Sequence, residues 1–146
     1  MHRAYETLPR ALREAVDAGA RCIPIWPSTA AAEGRKLAPT LSAAQLAQVQ
    51  EVAHPVVRTH PETGRRALFV SEGFTTRIEG VAADESRQIL DELFAHSTRS
   101  EHIYRHQWRD HDLVFWDNRS LIHLAGCPPE LRRKLYRTTI EGDAPF

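Results

Sequence analysis

Cysteine is scarce: Cys22 and Cys127 are the two in the chain, and they stand far apart. That spacing offers no CxxC pair, no zinc-finger pattern and no dense disulfide framework, so a reducing cytoplasm is the expected setting. Charge of one sign is missing too. Nineteen Lys and Arg balance nineteen Asp and Glu, and hydrophobic residues make up 42%. This excludes the strongly cationic surface that seeks nucleic acid and the apolar-poor composition of a disordered chain. There is no apolar run of the roughly eighteen residues a membrane span needs. Glu6, Arg10, Arg13, Glu14 and Asp17 interrupt residues 1–20, so neither a spanning helix nor a secretory signal is predicted. Repeats and low-complexity segments are absent as well. The expected partner is a small molecule or another protein, with no nucleic acid and no membrane. At 146 residues the chain fits a single domain, 1–146.

Regular patterns are present. Tyr5, Leu8, Leu12, Ala15 and Val16 fall at helical spacing, so residues 4–17 predict an amphipathic helix that Pro9 starts or kinks and that ends near Gly19. Residues 21–40 carry prolines around Trp26 and no sustained period, and read as irregular connection. Thr40 or Ser42 can cap a short surface helix through about Val52. From His54 the pattern predicts a strand, a turn on Pro61 and Gly64, and a second strand from Ala67 to Ser71. Asp84 is expected to cap a helix with Ile89, Leu90, Leu93 and Phe94 on its apolar face. Strands are predicted again in HIYRHQW (102–108) and DLVFWDN (112–118), around a turn at Asp110 and His111. A last strand, LYRTTIEGD (135–143), follows the loop CPPELRRK. The fold class is therefore mainly β with flanking helices (α+β), a sandwich or jelly roll rather than a βαβ fold.

Eight histidines are many for this length, and histidine is the commonest transition-metal ligand. His102, Tyr104 and His106 alternate, which suggests a metal-binding strand face; a merely polar sheet face accounts for them better. The segment WDNRSLIH (116–123) ends a predicted strand with a polar turn and then His123, and Arg133 and Arg137 follow. A non-haem iron oxygenase takes two histidines and one carboxylate on one face of the metal and leaves positions for a 2-oxo acid and dioxygen. The far carboxylate of such an acid is best held by a planar guanidinium. His123 and Arg133 fit these two roles. The plainer readings are a polar strand end for His123, a solvated basic cluster for Arg133 beside Arg132 and Lys134, a surface arginine for Arg137 and a core aromatic for Phe74.

The strings HPVVRTHPETGRRALFVSEGFTTRI (54–78), WDNRSLIH (116–123) and RRKLYRTTIEGDAPF (132–146) resemble successive landmarks of the TauD/TfdA (taurine catabolism) family of iron(II)- and 2-oxoglutarate-dependent dioxygenases, and residues 1–16 resemble a helix of the same family. The resemblance implies an incomplete double-stranded β-helix. It implies that His123 is the distal iron ligand and Arg133 the 2-oxoglutarate clamp. It also implies that Arg137 meets an anionic substrate head group and that Phe74 lines the substrate pocket. The family's H-x-D or H-x-E pair and its cosubstrate threonine lie upstream of the region matched here. His60 and Glu62 imitate that pair two residues apart, but Pro61 and Gly64 mark a turn there. Residues 20–36 depart from a pocket-lining strand the family usually has.

The expected activity is oxidative hydroxylation of a small anionic organic substrate, such as a sulfonate or sulfate ester, with Fe(II), dioxygen and 2-oxoglutarate. The rival reading is a catalytically inactive remnant or assembly module of the same fold. Open strand edges predict a homo-oligomer.

Overall fold

The computed structural model describes residues 1–24, 52–124, 126, 130, 132 and 134–146. The chain opens with α1 (His2–Glu6) and α2 (Arg10–Asp17). Pro9 separates them: it disfavours helical backbone at Leu8 and serves as the N-cap of α2, where its missing N–H costs nothing. Arg13 N–H donates to the Pro9 carbonyl at 3.0 Å and starts the second helix. Gly19, at φ +80, then turns the chain in a left-handed conformation that a side chain would strain.

Two small sheets follow. In the first, β1 (Arg21–Pro24) runs between β2 (His54–Pro55) and β5 (Thr75–Ile78), antiparallel to both, with Cys22 paired to His54 on one side and Ile78 on the other. The expected irregular connection is thus corrected at its start, where β1 forms because it gains a partner on each edge. The rest of it, 25–40, lies outside the described residues, as does the predicted helix from Thr40 or Ser42 up to Val52. The second sheet is the expected hairpin of β3 (Val57–Thr59) and β4 (Arg66–Leu68). Its turn closes through His60 N–H to the Arg65 carbonyl at 2.8 Å and Gly64 N–H to the His60 carbonyl at 2.9 Å, with Gly64 at φ +67. Val56 N–H, bonded to the Ala20 carbonyl at 2.9 Å, ties the two sheets together.

The helix α3 (Ala83–Ser97) packs on β5, and Ser86 Oγ accepts the Ile78 N–H at 2.7 Å in the interior. Its N-cap is Ala82, without a side-chain cap; Asp84 lies in the first turn instead, where its charge complements the helix dipole. Leu90 and Leu93 are buried and Ile89 and Phe94 partly so, giving the predicted apolar face. They join Ala4, Tyr5, Leu8, Leu12, Val16, Cys22, Val56, Leu68, Val70 and Ile78 in one core. Burial pushes the Cys22 thiol up to about 11, so it remains a protonated core group. The guanidinium groups of Arg13 and Arg66 lie over the Tyr5 ring at 5.0 and 4.8 Å, while its hydroxyl donates to Asp17 at 3.0 Å.

Among the described residues strands outnumber helices, five to three, in an α+β arrangement. The predicted strands 102–108, 112–118 and 135–143 are a correction. After the short 3-10 turn Ser100–His102, no strand is assigned among the described residues of 103–146. A strand exists by virtue of its ladder, and this stretch meets no partner strand here. His102, Tyr104 and His106 accordingly form no shared sheet face. The His102 ring tucks against His96 at 5.1 Å, Tyr104 faces solvent, and His106 Nε2 lies 3.0 Å from Asp112. The turn at Asp110 and His111 is present, with Asp112 N–H bonded to the Arg109 carbonyl at 3.2 Å. No helix among the described residues is long and apolar enough to cross a membrane.

Candidate active site

The segment carrying His123 is anchored by the turn before it. Asp117 forms this turn: its Oδ1 accepts the Arg119 N–H at 2.8 Å and its carbonyl accepts the Ser120 N–H at 3.2 Å. Arg119 folds back, and its Nε and Nη2 reach the two Asp117 oxygens at 3.0 and 2.7 Å. The same guanidinium extends to Glu62 at 3.0 Å and toward Asp143 at 3.9 Å. On the other side Asp117 meets the buried ring of His60, with Nε2 to Oδ2 at 2.9 Å. The Thr63 N–H donates to His60 Nδ1 at 3.3 Å, which makes Nδ1 the acceptor and leaves Nε2 to donate. The Arg119 guanidinium, and after it His60, hold the Asp117 carboxyl well below the usual carboxylate range against the opposing effect of burial, and the Arg119 pKa is raised in return.

His60 and Glu62 therefore act as the two ends of a clasp. They lie in the hairpin turn, as expected, and both point to the 117–119 turn rather than to a common metal position. The amino group of Met1 adds a further tie, donating to the Ser120 carbonyl at 2.9 Å. Beyond the turn, the Trp116 indole donates to Asn118 Oδ1 at 2.9 Å, and its ring lies 5.1 Å from that of His123. His123 is exposed, tilted 53° against the indole.

Arg133 lies outside the described residues. Arg137 is exposed, and among the described residues no hydrogen bond or ion pair joins it to His123. Phe74 is half exposed, in the turn that enters β5, where its N–H donates to the Ser71 carbonyl at 3.0 Å. No group of three His, Cys, Asp or Glu side chains among the described residues could hold a metal ion. A facial iron site takes two histidines and a carboxylate; the donors present do not make one, and His123 stands as a single imidazole.

Sequence reasoning missed the clasp itself. The string Asp-Asn-Arg signals a tight turn, but nothing local indicates that His60 and Glu62 meet it. It also missed the inner pair His96 and His102, whose Nε2 atoms both lie 3.1 Å from Thr7 Oγ1.

The sequence profile described as "Taurine catabolism dioxygenase TauD, TfdA family" matches residues 1–139. An alpha-ketoglutarate-dependent 2,4-dichlorophenoxyacetate dioxygenase of Cupriavidus pinatubonensis is 37% identical over 147 aligned positions, which cover 99% of this chain and 49% of that protein. An alpha-ketoglutarate-dependent sulfate ester dioxygenase of Pseudomonas putida is 34% identical, covering 97% of this chain and 48% of its own length. Among solved structures, a taurine dioxygenase from Burkholderia xenovorans superposes with a TM-score of 0.56 at 35% identity, over 74% of this chain and 31% of that one. The chain thus spans about half the length of the two enzymes it matches from end to end. With the profile running through both the hairpin clasp and the His123 segment, the chain belongs to the TauD/TfdA family.

Proposed function

We propose that this polypeptide supplies the part of an iron(II)- and 2-oxoglutarate-dependent dioxygenase that bears the second iron histidine, the cosubstrate arginine and the substrate cation. The overall reaction converts 2-oxoglutarate, dioxygen and a substrate C–H bond to succinate, carbon dioxide and the hydroxylated product. The observation that carries the reading is the order His123, Arg133, Arg137 within a family match that runs through residues 1–139. His123 is one ligand of three, so the chain by itself does not hold the metal. Iron, once the other two ligands are present, supplies the oxygen chemistry. The residues of this chain orient the reactants. Arg133 takes the far carboxylate of 2-oxoglutarate in a charged, forked hydrogen bond. Arg137 offers a cation to an anionic head group, and Phe74 gives the substrate carbon skeleton an apolar wall. Two relatives named for sulfonates and sulfate esters support a small anionic organic substrate of that kind. The completed domain is a double-stranded β-helix, the setting is cytoplasmic, and the isolated chain self-associates through its open edges.

The test fuses this chain to the half of the C. pinatubonensis relative that it does not match. Anaerobic addition of iron(II) and 2-oxoglutarate should give a visible metal-to-ligand charge-transfer band. His123→Ala should abolish it, and Arg133→Leu should weaken 2-oxoglutarate binding roughly 10- to 100-fold, the worth of a charged hydrogen-bond pair. A folded fusion with no band, or a band indifferent to His123→Ala, would refute the assignment.

A further inference from the structure

We propose that Tyr104, His106 and Asp112 form a hydrogen-bonded relay that makes the Tyr104 phenol a nucleophile toward activated acyl groups, in a reaction that calls on no iron. The carboxylate is fixed first. Asp112 Oδ2 accepts the Arg109 N–H at 2.9 Å, across the turn in which His111 takes φ +69. The same oxygen lies 3.0 Å from His106 Nε2. A carboxylate only accepts, so Nε2 carries the proton and Nδ1 of the neutral ring keeps a lone pair. The Tyr104 hydroxyl lies 3.4 Å from that Nδ1 and donates to it. The Trp108 ring stands edge to face with His106 at 4.8 Å and limits rotation of the imidazole.

Hydroxyl, imidazole and carboxylate in this order are the arrangement that activates an oxygen nucleophile: the ring takes the proton and the carboxylate orients the ring. The rest of the chain supplies the comparisons. His60 also faces a carboxylate, Asp117, but its Nδ1 already accepts the Thr63 N–H and its ring is buried, so that relay ends inside the fold. The His106 relay ends on a phenol that is 83% exposed. Tyr136 is as open, at 87%, with the Lys134 ammonium over its ring at 5.0 Å, and among the described residues no imidazole bonds to its hydroxyl. Tyr5 donates to Asp17 from the core. Among the described residues, an open phenol and an imidazole acceptor coincide at Tyr104.

The step is an acyl transfer. The phenol proton passes to His106 Nδ1 as the Tyr104 oxygen bonds to the acyl carbon. The bond from that carbon to its leaving oxygen then breaks, and the departing group takes the proton from His106. The products are an acyl ester of Tyr104 and the alcohol or phenol of the donor, with no net oxidation or reduction. The class of donor follows from charge. The Asp112 carboxylate, one ring away, repels the charged oxygens of a phosphoryl donor, whereas a neutral acyl carbonyl meets no such repulsion. A positioned base contributes roughly 10²- to 10⁴-fold, and the 3.4 Å contact in open solvent places Tyr104 at the lower end of that range.

The test treats the full chain with p-nitrophenyl acetate in buffer containing a chelator and locates the acetyl group by peptide mass spectrometry. The label should appear on Tyr104 roughly 10-fold or more faster than on Tyr136. Tyr104→Phe should remove it. His106→Gln should slow Tyr104 to the rate of Tyr136, and added imidazole should restore part of the difference. Asp112 acts through the ring as a positioning residue, so its contribution is read by nitrogen-15 NMR. The His106 proton should sit on Nε2, and Asp112→Asn should lose that preference together with the labelling advantage. Equal labelling of the two tyrosines, ester hydrolysis with no label on Tyr104, a rate indifferent to His106→Gln, or a His106 proton found on Nδ1 would each overturn the proposal. No iron enters this measurement, so its failure is separable from failure of the His123 assignment, which the covalent fusion reads.

Discussion

The carboxylate of Asp117 accepts from the Arg119 guanidinium, the Arg119 N–H and the His60 ring, and so ties the turn before His123 to the hairpin. Asp117→Asn keeps the shape but removes the charge that Arg119 and His60 answer. Hydrogen bonds to a charged group contribute about 1.5–3 kcal/mol, and urea unfolding at pH 7 should show a loss of about 2 kcal/mol. The sign of the pH dependence follows from the direction of the shift. Asp117 is held below its ordinary 3.8, so its contribution is complete above that value and fades as pH falls toward the folded pKa. The gap between the wild type and Asp117→Asn should therefore be constant from pH 7 to 5 and close below about pH 4. A gap that widens in acid would contradict the clasp. The sequence tells that His60-Pro61-Glu62 is a turn because Pro61 and Gly64 dictate it locally. It does not tell what His60 holds, since Asp117 lies 57 positions away and no local pattern encodes so distant a pairing.

At the scale of elements, what was legible is what the chain can stabilise by itself. The apolar face of α3, the break at Pro9 and the β3–β4 hairpin all follow from local spacing and turn chemistry, and all three are present. The strand β5 was overlooked, because Thr75 to Ile78 has too little alternation to read without its neighbour β1. The strands expected in 102–118 and 135–143 had the right composition but lack a ladder here, and a strand is a property of two segments rather than one. The candidate site follows the same division: His123 was legible as a motif, its surroundings were not. The energetic contrast is testable within one residue type. Leu93 is fully buried between α3 and the sheets, and Leu93→Ala should cost about 3 kcal/mol through lost burial and the cavity left behind. Leu113 is 95% exposed, and Leu113→Ala should change stability by less than about 0.5 kcal/mol. Urea unfolding of the two variants side by side settles the matter. A comparable loss in both would mean that 103–146 already packs into the core.

At the scale of the molecule, the sheets and helices of the described residues enclose imidazoles as well as hydrocarbon, and this sets how the fold responds to acid. His96 is lowered below 6.5 chiefly by burial, and its Nδ1 has no hydrogen-bond partner; Arg99 and His102 add to the shift, while the Ala4 carbonyl and Glu101 oppose it. His54, at the edge of the first sheet, is lowered by burial and then by Arg21 and Arg58. A depressed folded pKa means that the unfolded chain takes up the proton first, so the stabilising contribution is present above 6.5 and is lost as pH falls from there to the folded value. The Met1 amino group, lowered from 8.0 by burial and by Arg65, acts with the same sign at higher pH. The urea midpoint should therefore decline gently from pH 8 to 7 and more steeply below 6.5. Replacing both rings, His54→Gln with His96→Gln, should flatten the portion between pH 6.5 and 5 and leave the decline from 8 to 7 in place. A double variant that retains the full slope below pH 6.5 would show that neither imidazole is held neutral by the fold.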